Sequence, residues 1–208
     1  MARKKEISRS KILDIAYKMA VNNGLDRMNA RSIAKTGHFS TQPLYLEFKN
    51  MDEIRSEVLK RISHELRTET LQKKYVGDAL IDLDLAYINF AQDHSKLFRA
   101  MFVGGKFGSQ IIVDTLMDLG TAKFKEQYGD TNYSDQKVHD IVIANWISTT
   151  GMAALVVNEV AKFSQDQIVN VLQAQIHDAM LNDRLDLSSE ENPMFAADDE
   201  ASLKDSLA

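Results

Sequence analysis

The chain contains only two prolines, Pro43 and Pro193, so everything from residue 44 to residue 192 is proline-free. A loop-rich β protein needs proline in its turns and edges, whereas an α-helix is broken by it, so a run this long points to successive helices. Glycines supply the punctuation. Gly24, Gly37, Gly77, Gly104, Gly105, Gly108 and Gly129 fall where apolar periodicity lapses, and only Gly120 and Gly151 lie within periodic segments. The expected fold class is all-α, with about nine helices.

Apolar spacing locates them. Ile12, Ile15, Ala16, Met19 and Ala20 recur at three and four residues, predicting a helix over 8–22 that stops at Gly24. Asn29 is a natural cap for a short helix over 30–36, with Ile33 and Ala34 facing inward. Residues 37–39 turn the chain. Ser40 is expected to cap a third helix over 41–48, shielding the Gln42 amide while Pro43 sits in the unpaired first turn. Two short helices about a tight turn, packed on a longer first one, make a helix-turn-helix. A fourth helix is predicted over 51–75 from Ile54, Val58, Ile62 and Leu66. Further helices follow over 78–94, 95–103, 109–128, 135–163 and 165–183, the last capped by Ser164. The chain thus divides into an N-terminal helix-turn-helix domain (1–50), a larger helical domain (51–185), and an acidic tail (186–208) expected to be disordered or loosely attached.

Composition narrows the function. Cysteine is absent, which removes disulfides, thiolate metal sites and cysteine nucleophiles and suits a cytoplasmic location. The basic start has no apolar run behind it, and the segment 151–157 is too short to span a bilayer, so neither export nor a membrane partner is expected. None of the histidines His38, His64, His94, His139 and His177 has a glutamate three residues before it, and no phosphate-binding loop occurs. Neither a metal site nor a cofactor is therefore expected, and an enzyme of the helical-bundle type is the less favoured alternative. Charge is uneven: residues 1–74 hold 16 Lys and Arg against 9 Asp and Glu, and the remainder holds 9 against 21. A basic front on an acidic chain suits a polyanion held at one end only.

The head of a recognition helix meets base edges while its surroundings hold phosphates. Gln42 can offer a donor and an acceptor together to adenine, and Thr41 can donate or touch a thymine methyl. Tyr45, Lys49, Arg31 and Asn29 suit phosphate oxygens. The stretch 33–54, IAKTGHFSTQPLYLEFKNMDEI, with its Ile-Ala pair, turn, S-x-x-x-L-Y-x-x-F and lysine before the next helix, resembles the DNA-binding domain of the TetR family of bacterial transcriptional repressors. The resemblance implies phosphate contacts at Tyr45 and Lys49 and base contacts at Thr41, Gln42 and Pro43. His38 stands where that family usually has a glycine of positive φ, a conformation histidine tolerates comparatively well, and it becomes a further candidate phosphate contact. With Ser40, the candidate DNA contacts are Asn29, Arg31, His38, Ser40, Thr41, Gln42, Pro43, Tyr45 and Lys49.

Two later stretches extend the resemblance. Residues 87–102, YINFAQDHSKLFRAMF, are similar to a segment of one broad group of these repressors, and 146–155, WISTTGMAAL, resembles their W-x4-G-x-A helix, with Thr150 where a histidine often stands. The family's last two helices usually pair with a twofold mate. That implies a homodimer interface at Gly151, Ala154, Ile168, Leu172, Ile176 and Ala179. Phe90, Phe98, Met101, Phe102, Phe124 and Trp146, with the polar His94, Asn145 and Thr149, are the candidate lining of a pocket for an unidentified small, largely apolar effector. Either they line such a pocket or they are ordinary core. The expected function is a repressor that binds a palindromic operator in double-stranded DNA as a homodimer and is released by the effector. A DNA-binding structural protein without an effector fits the first domain equally well.

Overall fold

Side-chain oxygens open most of the helices in this chain. The computed structural model describes residues 7–103, 110–129 and 132–185, and the acidic tail, Phe107 and Pro193 lie outside them. The described residues form α1 (Arg9–Asn23), α2 (Ala30–Gly37), α3 (Gln42–Glu47), α4 (Met51–Thr68), α5 (Ala79–Asp93), α6 (Ser95–Phe98), α7 (Gln110–Tyr128), α8 (Asp135–Val157) and α9 (Gln165–Leu181). No strand occurs among them. Ser8, Asn29, Asn50, Asp78, Ser134 and Ser164 each accept a first-turn N–H of the helix they precede, and Asn29 and Ser164 complete reciprocal capping boxes with Ser32 and Gln167.

Four expected boundaries are corrected. Ser40 does not cap α3: the cap position is Thr41, already in helical geometry at φ −71° and ψ −15°, and no side chain caps this helix. Its first turn is closed instead by the Leu44 N–H on the Thr41 carbonyl at 3.2 Å. α4 ends at Thr68 rather than 75, because the Thr68 hydroxyl takes the His64 carbonyl and the Gln72 amide takes that of Arg67, both at 2.8 Å, turning residues 70–72 into a 3-10 turn. α8 stops at Val157 instead of 163. Glu159 is left-handed (φ 57°), and the N–H groups of Glu159 and Val160 return to Val156 and Leu155, a Schellman ending built without glycine. The helix expected over 95–103 divides into α6 and a π-helical turn over Arg99–Val103.

The core centres on α5, which is buried on every side, from Leu80 and Ile81 through Leu85, Ala86 and Ile88 to Phe90 and Ala91. It packs against α7, α8 and α9, while α1 packs against α2, α3, α4 and α6, and α4 also meets α7. At the α4–α7 contact Ser63 and Thr115 share a buried 2.6 Å hydrogen bond and Arg67 pairs with Asp118. Each fully buried Leu, Ile or Phe contributes about 1.5–3 kcal/mol against chain entropy. By length and composition α8 is the one described helix that could cross a membrane, a property hidden when only residues 151–157 are weighed. In the fold its buried face, including Ile141, Val142 and Ala153, belongs to the core shared with α5, α7 and α9.

Candidate nucleic-acid interface

The turn between α2 and α3 is set by two adjacent residues with different duties. His38 is left-handed (φ 56°, ψ 44°), its N–H returning to Lys35 at 3.3 Å and that of Phe39 to Ala34 at 3.0 Å, a Schellman ending with histidine in the usual glycine position. Gly37 is needed for space. A Cβ there would lie 2.0 Å from the Phe39 ring and 2.8 Å from Ile15 of α1. The folded-back Phe39 ring thereby locks the turn onto the first helix.

From this turn α3 projects with Leu44 and Phe48 buried against the core and Tyr45 and Leu46 turned out, 57% and 76% exposed. Gln42 is exposed and Thr41 and Pro43 half-buried. Arg9 of α1 fixes the far end: its guanidinium lies 4.0 Å over the Phe48 ring, donates to the Glu47 carbonyl at 2.6 Å and pairs with Glu53 at 2.9 Å. Glu53 also accepts the Lys49 backbone N–H at 2.7 Å, and these two interactions hold its carboxyl below the usual range. Thus α1, α3 and the start of α4 are tied at one joint, and the Lys49 ammonium is left to solvent.

The cations of this region divide sharply. Arg61, on the α4 side, pairs with Asp14 and stacks on Tyr17 at 4.1 Å, and Lys60 pairs with Glu57. Among the described residues none of Arg27, Arg31, Lys35 and Lys49, all exposed around the turn, makes an ion pair. His38 and Ser40 are exposed beside them. Asn29 is more committed than its sequence position implies. Its side-chain Oδ1 accepts the Ser32 N–H and its backbone N–H donates to Ser32 Oγ, both at 3.0 Å, so that backbone amide is occupied.

In the larger helical unit the nine effector candidates fall into four groups. Phe98 and Phe102 gather with Trp146 around Tyr87, with ring centroids 5.3–6.5 Å apart, and buried Met101 sits on the same π-helical turn. Phe90 and His94 face each other at 5.3 Å beside a void of only about 30 Å³, and the His94 ring caps neither helix it joins. Phe124 is fully buried against Tyr128 and Tyr133. Asn145 and Thr149 do not face a void: they hold the buried carboxylate of Asp84, through Asn145 Nδ2 at 2.9 and 3.0 Å and Thr149 Oγ1 at 3.0 Å. Burial pushes the Asp84 carboxyl up to about 7 despite these two donors, with Asp78 raising it further. A separate open cleft of about 890 Å³ is lined by Gly24, Arg27, Asn29, Lys96 and Arg99 and by none of the aromatic candidates, and a Cβ added at Gly24 would lie 3.2 Å from the Lys96 carbonyl oxygen.

No family model matches the sequence, and no curated protein does. Solved structures do. A TetR-family transcriptional regulator from Streptomyces coelicolor superposes with a TM-score of 0.62 at 17% identity, spanning 99% of this chain and 97% of that one. A TetR-like transcriptional regulator from Rhodococcus sp. RHA1 follows at 0.53 and 19%, spanning 86% of this chain and all of the other. The chain has the TetR-family fold. Within that fold α1–α3 are the helix-turn-helix unit and α4–α9 the larger helical unit.

The residues expected to meet a second copy are not all outward in this fold. Ile168, Leu172, Ile176 and Ala179 are buried within the chain, so that stripe of α9 is used by its own core. The large apolar side chains left outward on α8 and α9 are Ile147 (60% exposed), Leu155, Val171 (50% exposed) and Leu181 (69% exposed); Gly151, whose Cβ position is open, is exposed and Ala154 half-buried. Asp82 and Asp84 are buried polar residues of the core that none of the expectations from the sequence includes. Asp82 accepts the backbone N–H groups of Tyr75, Val76 and Gly77, shaping the turn before α5. The signal was available: acids inside DALIDLDLAY, apolar around the whole helix, have no outer face to occupy.

Proposed function

We propose that the chain is a DNA-binding transcriptional regulator, acting as a repressor that binds a palindromic operator as a homodimer and is released by a small effector held in the larger helical unit. One observation carries the DNA reading: α3 turns Gln42, Tyr45 and Leu46 to solvent while its other face is locked to α1 and α4, and unpaired cations surround it. An exposed tyrosine and leucine on a six-residue helix are poorly placed for packing and well placed for a groove. Arg31, Lys35 and Lys49 supply phosphate contacts, and Thr41, Gln42 and Pro43 face bases. Symmetry comes from the outward face of α8 and α9 around Ile147, Gly151, Leu155 and Val171, which would pair with the same face of a second copy. The two recognition helices would then stand about 34 Å apart, one turn of DNA.

Selection from a random duplex pool tests this reading. The expected product is an inverted repeat with half-site centres about one helical turn apart, bound less tightly as salt rises. Absence of any enriched sequence at low salt would contradict it.

A further inference from the structure

The open cleft between the two helical units gathers positive charge that no acid among the described residues pairs. Its cations come from three short segments: Arg27 from the 3-10 turn Leu25–Arg27 that follows α1, Lys96 from α6, and Arg99 from the π-helical turn. All three are exposed and none makes an ion pair among the described residues, although Asp26 lines the same cleft. Arg99 donates through Nε to the Asn158 side chain and through Nη2 to the Val157 carbonyl, which leaves Nη1 for another acceptor. The walls are held in place. α1 packs on α6, the 3-10 turn meets the π-helical turn, and Gly24 lets the end of α1 sit against the Lys96 backbone. Ser32 Oγ donates to the Arg27 carbonyl at 2.9 Å, fixing the 3-10 turn to the head of α2. Like charges converging on one concave surface focus a field that draws in anions.

We propose that this cleft binds a sugar bisphosphate, with its phosphates on Arg27, Lys96 and Arg99 and its hydroxyls on Asp26 and Asn23. Each part of the assignment follows from the lining. Guanidinium groups match phosphate oxygens with paired N–H donors, and several cations call for more than one anionic group. A carboxylate among them repels phosphate but accepts hydroxyl hydrogens, and the Asn23 amide, exposed and without a side-chain hydrogen bond among the described residues, can donate and accept together. No aromatic ring is among the lining residues, so a nucleobase would find nothing to stack on. Buried Met19 and Ala100 offer too little apolar surface for an acyl chain. At about 890 Å³ the space has the size of a small-molecule site and exceeds what inorganic phosphate fills.

This site differs from the effector pocket proposed above in place and in chemistry. It lies between the units rather than inside the larger one, and binding there needs neither DNA nor a second copy. A bound bisphosphate would tie the turn leading into α2 to α6 and the π-helical turn, stiffening the joint between the units.

Calorimetric titration of the full chain with fructose 1,6-bisphosphate tests the proposal, beside fructose and inorganic pyrophosphate at matched ionic strength. The bisphosphate should saturate a single site at least about tenfold more tightly than pyrophosphate, while fructose should not bind up to about 10 mM. It should also raise the unfolding temperature, and added NaCl should weaken it. Arg27→Ala and Lys96→Ala should each lower the affinity at least about tenfold and leave the unfolding of the unliganded chain at the parent value, since both side chains are exposed. Asp26→Ala should erase the preference over pyrophosphate. Equal affinity of the parent for bisphosphate and pyrophosphate overturns the sugar assignment, and unchanged affinity in both cation variants overturns the location. No saturable heat together with no rise in unfolding temperature overturns the site altogether. Every one of these results is read without DNA, so the DNA reading stands or falls by its own test.

Discussion

The two helical units handle their polar groups in opposite ways. In α1–α3 the turn is set by local features, an asparagine capping box, a Schellman ending at His38 and a glycine that admits a phenyl ring, and a single long-range arginine, Arg9, ties three helices from the outside. Its cations around the turn are left unpaired and outward. In α4–α9 the decisive contacts join distant parts of the chain, Asp84 with Asn145 and Thr149, Ser63 with Thr115, and Arg99 with the end of α8 through the Val157 carbonyl at 2.6 Å. The first unit is built to present a rigid exterior, the second to hold charge and unsatisfied groups inside. Such a division suits a reader of a fixed surface joined to a sensor whose interior can change state.

The sharpest way to break this contrast is to neutralise the second unit's interior charge. Asp84→Asn should raise stability above pH 7 by on the order of 2–4 kcal/mol, because the parent loses stability as pH climbs from its unfolded value of 3.8 to about 7. Below pH 4 the two proteins should be equally stable, and urea unfolding at pH 4, 6 and 8 measures the difference. A parent whose stability is flat across this range would show that Asp84 is not held as described. Next in size is the local lock of the first unit. Gly37→Ala forces the Phe39 ring off α1 and should cost about 1–3 kcal/mol in thermal unfolding. DNA affinity should fall with it.

How far each unit could be read from the chain alone follows the same line. Two helix starts were legible because Asn29 and Ser164 act on amides three residues away; those after Ser8 and Ser134 rested on apolar spacing alone. The left-handed turn at His38 was legible only through the family resemblance, which places a glycine of positive φ there. The ends of α4 and α8 were not, since Arg99 reaches the Val157 carbonyl from far along the chain and no proline or glycine marks either stop. Ser40 misled because Thr41 already has helical angles, which moves the cap by one residue. The apolar stripe of α9 was seen correctly but its partner was not: periodicity says that a face is covered, and only packing shows that the cover is the chain's own core.

Smaller effects sharpen the picture of the interface. Arg9→Ala should lower stability by about 1 kcal/mol, mainly through the lost stacking on Phe48, and should weaken DNA binding although Arg9 is not placed as a DNA contact. Comparing unfolding with affinity for the same variant checks this. Arg31→Ala and Lys49→Ala should leave unfolding within about 0.5 kcal/mol of the parent and each reduce the salt slope of DNA binding by about one. An unchanged slope would place those cations away from phosphate.

Most direct of all is the affinity of a Gln42→Ala/Tyr45→Ala double variant for the duplex recovered by selection, measured alongside its thermal unfolding. Both side chains are exposed on α3, so the unfolding curve should be that of the parent while affinity drops by at least about thirtyfold. Parent-like affinity in a folded double variant would contradict the assignment of α3 to the groove.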